Sequence, residues 1–463
     1  MSSNGMAENV GLGDRPEFTG RSIVLFKTPK DADLVGTEAL MQSVLHDKAG
    51  LKHVASTQSL GESFDSAQLA GADAVTMPRL GMAIIPESAE GLSMLANETL
   101  DSDSDIEAVI PEKYDYLLSA DRIDQVGDPI IMPAPQLPRI PEIEYNIDPK
   151  AIRRLAKMLQ LLSKVSDALV EVEVPAPEEA RIAALFNDTA AATWGLQATR
   201  VLTSRFSGRG VRVAVIDTGL DLNHPDFRGR RIVTRLFAPE GTRPEPTNTH
   251  GTHCVGTACG PRNPVGGRRY GIAFESDIFA LKVFNDEARP GARRGDVIAA
   301  MDFANRNGCR ILSLSLGSAS NGGIDTEYTR AITNLRRAGS LTIAAAGNEG
   351  ESGFHVGSPA SSPDAVAVAA VDQNLRRASF SNLGPLDISA PGVGTISSVI
   401  GGGTRALNGT SMATPHVAGI AALWAQANPN FTPDQLELSL RRSVRQLQQS
   451  AMEVGFGLVQ APQ

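Results

Sequence analysis

Three polar residues of this chain stand where apolar patterns break, and together their types suit one chemistry. Asp217 closes the run Val213-Ala214-Val215-Ile216, so its carboxylate emerges at a strand end. His250 lies in Thr249-His250-Gly251-Thr252-His253-Cys254-Val255-Gly256, just ahead of a small-residue helix start. Ser411 lies in Gly409-Thr410-Ser411-Met412-Ala413-Thr414-Pro415-His416 and opens an almost wholly apolar helix. Free backbone N–H groups and the positive helix end face it there. A hydroxyl is a weak nucleophile that needs an adjacent base, and the base needs a buried carboxylate to fix its tautomer. Asp, His and Ser are the parts of acyl transfer. Singly, each has a plainer reading: Asp217 as a turn cap, His253 and His416 as helix-packing residues. His250-x-x-His253 has no further ligand cluster beside it, so zinc is disfavoured.

The elements that must position these residues form two patterns. From about residue 190, short apolar strands at Val211–Ile216, Ile278–Phe284, Ile311–Leu316, Leu341–Ala346 and Ala365–Val371 alternate with helices at Val297–Asn305 and Ser411–Ala427. That order predicts an α/β domain, residues 187–463, with a mostly parallel sheet covered on both faces. In such sheets chemistry gathers at the carboxyl ends of the strands. Upstream, residues 1–20 read as a loose terminus. Residues 21–118 read as a small α+β unit of order β-α-β-β-α-β: strand Ser22–Phe26, helix Gly36–Leu45, strand-like Val75–Pro86, helix Ser88–Asn97 and strand Ile106–Ile110. Residues 119–186 read as a Pro-rich linker and an amphipathic helix. That helix starts at Asp148-Pro149, carries Ile152, Leu155, Leu159, Leu162 and Leu169 on one face, and ends at Pro175 and Pro177.

Asp217-Thr218-Gly219, His250-Gly251-Thr252-His253 and the Ser411 segment resemble the three active-site signatures of the subtilisin-like serine proteases, in that family's chain order. Ala344-Ala345-Ala346-Gly347-Asn348-Glu349-Gly350 resembles its oxyanion segment. The likeness runs from about residue 190 to 461. It implies a subtilisin-like three-layer domain and a serine endopeptidase working through an acyl-enzyme. Ser411 would be the nucleophile, His250 the general acid/base and Asp217 the orienting carboxylate. Asn348 would donate to the oxyanion beside the Ser411 N–H, a contact of the kind whose removal in subtilisin costs on the order of 10²–10³ in turnover. Cys254 resembles the buried free thiol of the proteinase K-like members, with an inert packing role expected.

The resemblance further implies that substrate binds as an extended strand along Ser315-Leu316-Gly317. Ala346 and Gly347 would form one wall of the pocket for the residue before the scissile bond, and Gly357 its floor. Small residues there imply large apolar or aromatic side chains in that pocket, with Glu349 at the rim also admitting Lys. No cofactor is expected for the chemistry. Asp226 matches a structural calcium position, but the loop Gly260–Arg269 departs from the family and brings arginines that oppose a hard cation, so a cap or salt bridge is the favoured reading. Residues 21–118 resemble the family's inhibitory propeptide, with Ile106–Tyr114 as its final strand and tail. This implies a self-inhibited zymogen that processes itself after Leu118, near Ala180–Asn187, or not at all. About 99 residues separate Leu118 from Asp217, where the family joins propeptide to enzyme directly.

Composition supports this frame. The 463 residues hold 52 acidic and 43 basic side chains, unevenly placed: residues 1–190 have 31 and 16, a net charge of −15, which leaves the rest at +6. Opposite potentials favour docking of the two parts. No stretch joins dense Lys/Arg with aromatics, which argues against nucleic-acid binding. No run approaches the ~18 apolar residues of a membrane span. Three cysteines, Cys254, Cys259 and Cys309, cannot make a stapled framework. The longest apolar run of the first 30 residues is Ile23-Val24-Leu25-Phe26, short of a signal peptide. Synthesis in the cytoplasm is therefore expected, with unconventional export as the alternative. The partners expected are polypeptide substrates and the chain's own N-terminal part. The rival reading is a catalytically silent fold serving as a binding or scaffolding module, but all three triad members and Asn348 are present.

Overall fold

A strand with Val, Ala and Ile on both faces is stable only when both faces are covered. The computed structural model describes residues 18–27, 33–58, 72–86, 91–99, 101, 104–117, 186–319, 323–352 and 355–463. The expected linker and amphipathic helix at 119–185 lie outside the described residues.

The N-terminal part contains β1 (Phe18–Phe26), α1 (Leu34–Ala49), β2 (Val54–Ser56), β3 (Ala74–Met77), β4 (Met82–Pro86), α2 (Leu92–Glu98) and β5 (Ile106–Leu117). In the C-terminal part follow β6 (Arg212–Asp217), β7 (Ile232–Leu236), α3 (His250–Cys259), β8 (Asp277–Lys282), β9 (Gly291–Arg293) and α4 (Arg294–Arg306). Next come β10 (Ile311–Leu314), β11 (Leu316–Gly317), α5 (Thr326–Arg337), β12 (Leu341–Ala345), β13 (Val366–Val371) and β14 (Ile388–Pro391). The hairpin strands β15 (Thr395–Ser398) and β16 (Thr404–Leu407) precede α6 (Thr410–Ala427).

The large sheet runs β14-β13-β12-β10-β6-β8-β7, and every neighbouring pair in it is parallel. Alternation of side chains splits each strand between two cores. Val213 and Val215 of β6 pack with α3 and α6, whereas Ala214 and Ile216 pack with α4 and α5. After β6 the chain builds one side of the sheet with β7 and β8, then crosses to the other with β10, β12, β13 and β14. The order therefore reverses between β6 and β10, the place where an open α/β sheet leaves a crevice. Helix α6 is apolar around its whole circumference because it lies inside the molecule, buried along nearly all its length.

In the N-terminal part the sheet order is β5-β1-β4-β3-β2, with β1 antiparallel to β4 and β5. Val24 and Phe26 of β1 meet Met41 and Leu45 of α1 and Leu95 of α2. The alternate residues Ile23 and Leu25 belong to the core built around α4 and α5. This sheet thus has two apolar faces, one covered by its own helices and one by the C-terminal part.

In the N-terminal part several boundaries differ from expectation. Strand β1 starts at Phe18 rather than Ser22, because Phe18 pairs with Lys113, so residues 18–20 belong to the sheet and not to a loose terminus. Val75–Pro86 is two strands, interrupted by a 3₁₀ turn at Pro78–Leu80 that ends on Gly81 in the left-handed region. Strand β5 continues seven residues past Ile110, to Leu117, and β2 is an added edge strand, parallel to β3. Among the described residues no helix is long and apolar enough to cross a membrane.

Helices α3 and α6 approach so closely that a Cβ on Gly419 would lie 2.8 Å from the Ala258 carbonyl oxygen, a backbone atom that cannot swing away. Gly419→Ala should therefore cost about 1–3 kcal/mol, as overpacking does. A clear fall in Tm relative to wild type checks this, and an unchanged Tm contradicts it.

Candidate active site

Parallel pairing of β6 with β10 sets Ile216 opposite Leu314, so Asp217 and Ser315 leave the sheet side by side at the crevice. Asp217 ends β6 and is buried, with one oxygen accepting the Thr218 N–H at 2.7 Å. Helix α3 brings His250 to it. Gly251 permits this approach, since a Cβ there would sit 2.3 Å from the Gly219 carbonyl oxygen. The His250 Nδ1 then lies 2.8 Å and 3.0 Å from the two carboxylate oxygens of Asp217. Acceptors on that side fix the proton on Nδ1 and leave Nε2 as the base. Nε2 is buried and, among the described residues, has no hydrogen-bond partner.

Ser411 sits in the first turn of α6 and is wholly buried. Its Oγ donates to the Ser315 carbonyl at 3.1 Å, and Ser315 Oγ returns a bond to the Ser411 carbonyl at 2.9 Å. That carbonyl is available because Pro415, four residues on, has no N–H to give it. The Cys254 thiol donates to the same oxygen at 3.5 Å and lies 3.8 Å from His250 Nδ1. Cys254 therefore does more than fill space: it helps satisfy the carbonyl that Pro415 orphans. Burial pushes its thiol pKa up, against reactivity.

Burial disfavours a charged His250, but the Asp217 carboxylate and the adjoining Cys254 outweigh it and hold the imidazole well above the usual 6.5. The two other histidines of these motifs behave oppositely. Burial drives His253 down to about 3, and its Nε2 donates to the carbonyls of Thr395 and Arg405. Burial likewise takes His416 to about 4, with Nδ1 bonded to the Met412 carbonyl. Both are neutral packing residues of α3 and α6.

Asn348 follows β12. Its Oδ1 accepts from the N–H and the hydroxyl of Thr410, the residue before Ser411, at 2.9 Å and 2.8 Å, which fixes the amide with Nδ2 as its donor end. Gly347 N–H donates to the same Thr410 hydroxyl. Ala346 accepts from Gly357 N–H at 2.8 Å, so the residues expected to shape one pocket do meet. Gly357 has no room for a side chain, because a Cβ would lie 2.7 Å from the Ser318 carbonyl oxygen. Glu349 is partly buried, and its carboxylate accepts from Asn348 N–H and Asn382 Nδ2.

The expected substrate strand is occupied by the chain itself. Leu316 and Gly317 pair antiparallel with Leu117 and Tyr116 of β5. On the other edge, Gly291, Ala292 and Arg293 of β9 pair with Tyr116, Asp115 and Tyr114. The sequence offered no sign of β9, a three-residue strand that bridges Phe284 nearby and pairs with β5 from far upstream.

Asp226 is buried, and each of its oxygens is used: one accepts the Val265 N–H at 2.7 Å, the other the Tyr270 hydroxyl at 2.6 Å. Nearby carbonyls of a kind that would serve calcium are taken by guanidinium groups, Cys259 and Ser276 by Arg230, Gly271 and Ile272 by Arg269. Two arginines and a phenol are the wrong donor set for a hard cation. The loop at 260–270 does not fit calcium.

Comparison with known proteins places these residues in context. The model of the Subtilase family matches residues 208–458. Alkaline elastase YaB of Bacillus sp. (strain YaB) is 39% identical over 272 residues, 58% of this chain and 68% of its own. Subtilisin BL of Lederbergia lenta is 38% identical over 272 residues, which cover 96% of it. A thermostable alkaline protease of Halalkalibacterium halodurans is 32% identical over 367 residues, 76% of this chain and 92% of its own.

Excess EGTA should leave the Tm of the protein unchanged, because hydrogen bonds and not a cation hold Asp226. A drop of many degrees on chelation would contradict this account of the loop.

Proposed function

The chain belongs to the subtilase family, and from that membership and its intact triad we infer a serine endopeptidase that its own N-terminal part holds inhibited. The observation that carries the inhibited state is β5, clamped as a strand between β9 and β11. Main-chain hydrogen bonds of this kind are how an extended polypeptide docks on a sheet edge. Leu117 pairs with Leu316, the residue after Ser315, whose carbonyl receives the Ser411 hydroxyl. A substrate strand held in that register would set its following residue opposite Ser315.

In turnover, His250 Nε2 takes the Ser411 proton as Oγ attacks the carbonyl, and later returns it to the leaving amine. Asp217 keeps the imidazole in the Nδ1–H tautomer and stabilises the imidazolium. Asn348 Nδ2 and the Ser411 N–H stabilise the oxyanion. No cofactor enters these steps.

Residues 18–117 act as the inhibitory prodomain. Their second apolar face packs on α4 and α5, and ion pairs join the two parts at Arg21–Asp296 (2.9 Å), Asp115–Arg294 (3.3 Å) and Glu107–Arg330. Glu112, fully buried, accepts the Gly295 N–H at the start of α4, where helix geometry favours an anion.

The processing event this reading expects is self-cleavage after Leu118, which the pairing of Leu117 with Leu316 supports. Ser411→Ala should hold the chain at full length in a protease-deficient host, where wild type gives a new N-terminus at Ser119. Identical fragments from both would refute self-processing. His250 must be neutral to accept a proton, and its pKa is raised, so activity is lost as pH falls through that raised value. The rising limb of kcat/KM against pH should accordingly lie above 6.5. A midpoint at or below 6.5 would contradict the electrostatics described for the Asp217–His250 pair.

A further inference from the structure

Strand β5 leaves an imprint in the cleft beyond its main-chain bonds. Asp115, paired opposite Ala292, has no exposed surface. One of its oxygens lies 3.3 Å from Arg294 Nη2, and the other accepts the Tyr328 hydroxyl at 2.6 Å. Arg294 is itself fully buried, an uncommon place for a guanidinium. Its Nη1 is held from behind by Glu327 and by Asp325 at 3.1 Å, and its plane lies over the Tyr328 ring at 5.0 Å. Nη2 also donates to Ser318 Oγ at 3.0 Å. One arm of the fork is therefore locked into the enzyme, and the other is presented to the strand in the cleft.

We propose that Arg294, Tyr328 and Ser318 form a specificity subsite that selects an aspartate in the substrate, three residues before the residue whose bond is cut. The inference rests on the endopeptidase reading and extends it to a substrate class. The position follows from register. Leu117 lies opposite Leu316, so the residue presented to Ser411 is the next one, and Asp115 stands three before it. The selection follows from desolvation. All three groups belong to the enzyme, so they remain when β5 leaves and a substrate takes its place. An apolar side chain seated there would leave the Tyr328 hydroxyl and one of the two Nη2 protons buried without an acceptor, the other Nη2 proton keeping Ser318 Oγ. A site built to hydrogen-bond rejects a ligand that lacks the partner more sharply than an apolar pocket rejects a misfit. A lysine would set a second cation against Arg294. Hydrogen bonds to charged groups correspond to about 10–100-fold in kcat/KM for Asp over Leu, with Asn between them.

The test uses internally quenched peptides identical around the cleaved bond and differing only three residues upstream of it, as Asp, Asn, Leu or Lys. They are assayed with the protein purified from the full chain, and mass spectrometry fixes the cleaved bond. Wild type should favour Asp over Leu about 10–100-fold, and Arg294→Met should bring that ratio close to one. Arg294 also neutralises Asp325 and Glu327, so Tyr328→Phe, which deletes a single hydroxyl, provides a second reading: the ratio should fall about 5–10-fold. Equal or better cleavage of the Leu or Lys peptide by wild type overturns the subsite, as does a ratio that survives both substitutions. Fluorophosphonate labelling separates the two levels of failure. With Ser411 labelled and no preference for Asp, or no turnover of the Asp peptide, the subsite alone is refuted. With Ser411 unlabelled and every peptide intact, the endopeptidase reading falls and the subsite with it.

Discussion

Parallel pairing of Val213–Ile216 with Ile311–Leu314 is the constraint on which the rest of this molecule depends. It joins the two halves of the sheet at the point where strand order reverses, and it sends Asp217 and Ser315 out of the same edge. Helix α3 then has to bring His250 from one side and α6 has to bring Ser411 from the other. Both helices lie on the same core as Val213 and Val215, so their close approach is enforced by the same burial that stabilises the strands. The small residues at that contact, Gly251 and Gly419, are where the chain accommodates the distance. Catalytic geometry here is a by-product of core packing rather than of flexible loops.

A second level of organisation lies in carbonyl oxygens. Pro415 removes one helical N–H and so frees the Ser411 carbonyl, which Ser315 and Cys254 then share. The nucleophile is consequently tied by its main chain to the strand that receives substrate and to the helix that carries the base. Three segments meet at one oxygen atom. A disturbance in any of them is felt by the others without passing through the side chains that do the chemistry.

Much of this was legible in the sequence, for a physical reason. Asp217, His250, Ser411 and Asn348 sit beside glycines and at the ends of apolar runs, and such local signals do not depend on distant partners. The five inner strands of the large sheet, β6, β8, β10, β12 and β13, were equally clear, since burial on both faces leaves runs of Val, Ile, Ala and Leu, whereas the edge strands β7 and β14, half-buried or short, were not read. What failed to show was pairing between remote segments. Strand β5 reads as ending at Ile110, followed by Pro111 and then Glu112, Lys113 and Asp115, which look like solvated charges. Two of them are fully buried, because their partners, Arg21, the Gly295 N–H, Arg294 and Tyr328, come from far along the chain. Arg294 was invisible for the same reason: a charge at the start of an apolar helix resembles any exposed helix end. The loop at 260–270 was the intermediate case, where the arginines already spoke against a cation and the hydrogen bonds of Asp226 give the alternative.

The two apolar faces of the N-terminal sheet would carry a consequence for that unit were it cut from the chain. Ile23, Leu25, Met82 and Ile84 are covered by α4 and α5, while the private core behind α1 and α2 is small. A unit of roughly this size is marginal even with its surface fully satisfied. Cut free with one face bare, it would spend part of its time unfolded, and its apparent affinity for the cleft would be scaled down to the fraction that stays folded. An unfolded polypeptide in the presence of an endopeptidase is a substrate. Were this unit cut free, the enzyme would consume it, and activation would run in one direction only, like a fuse.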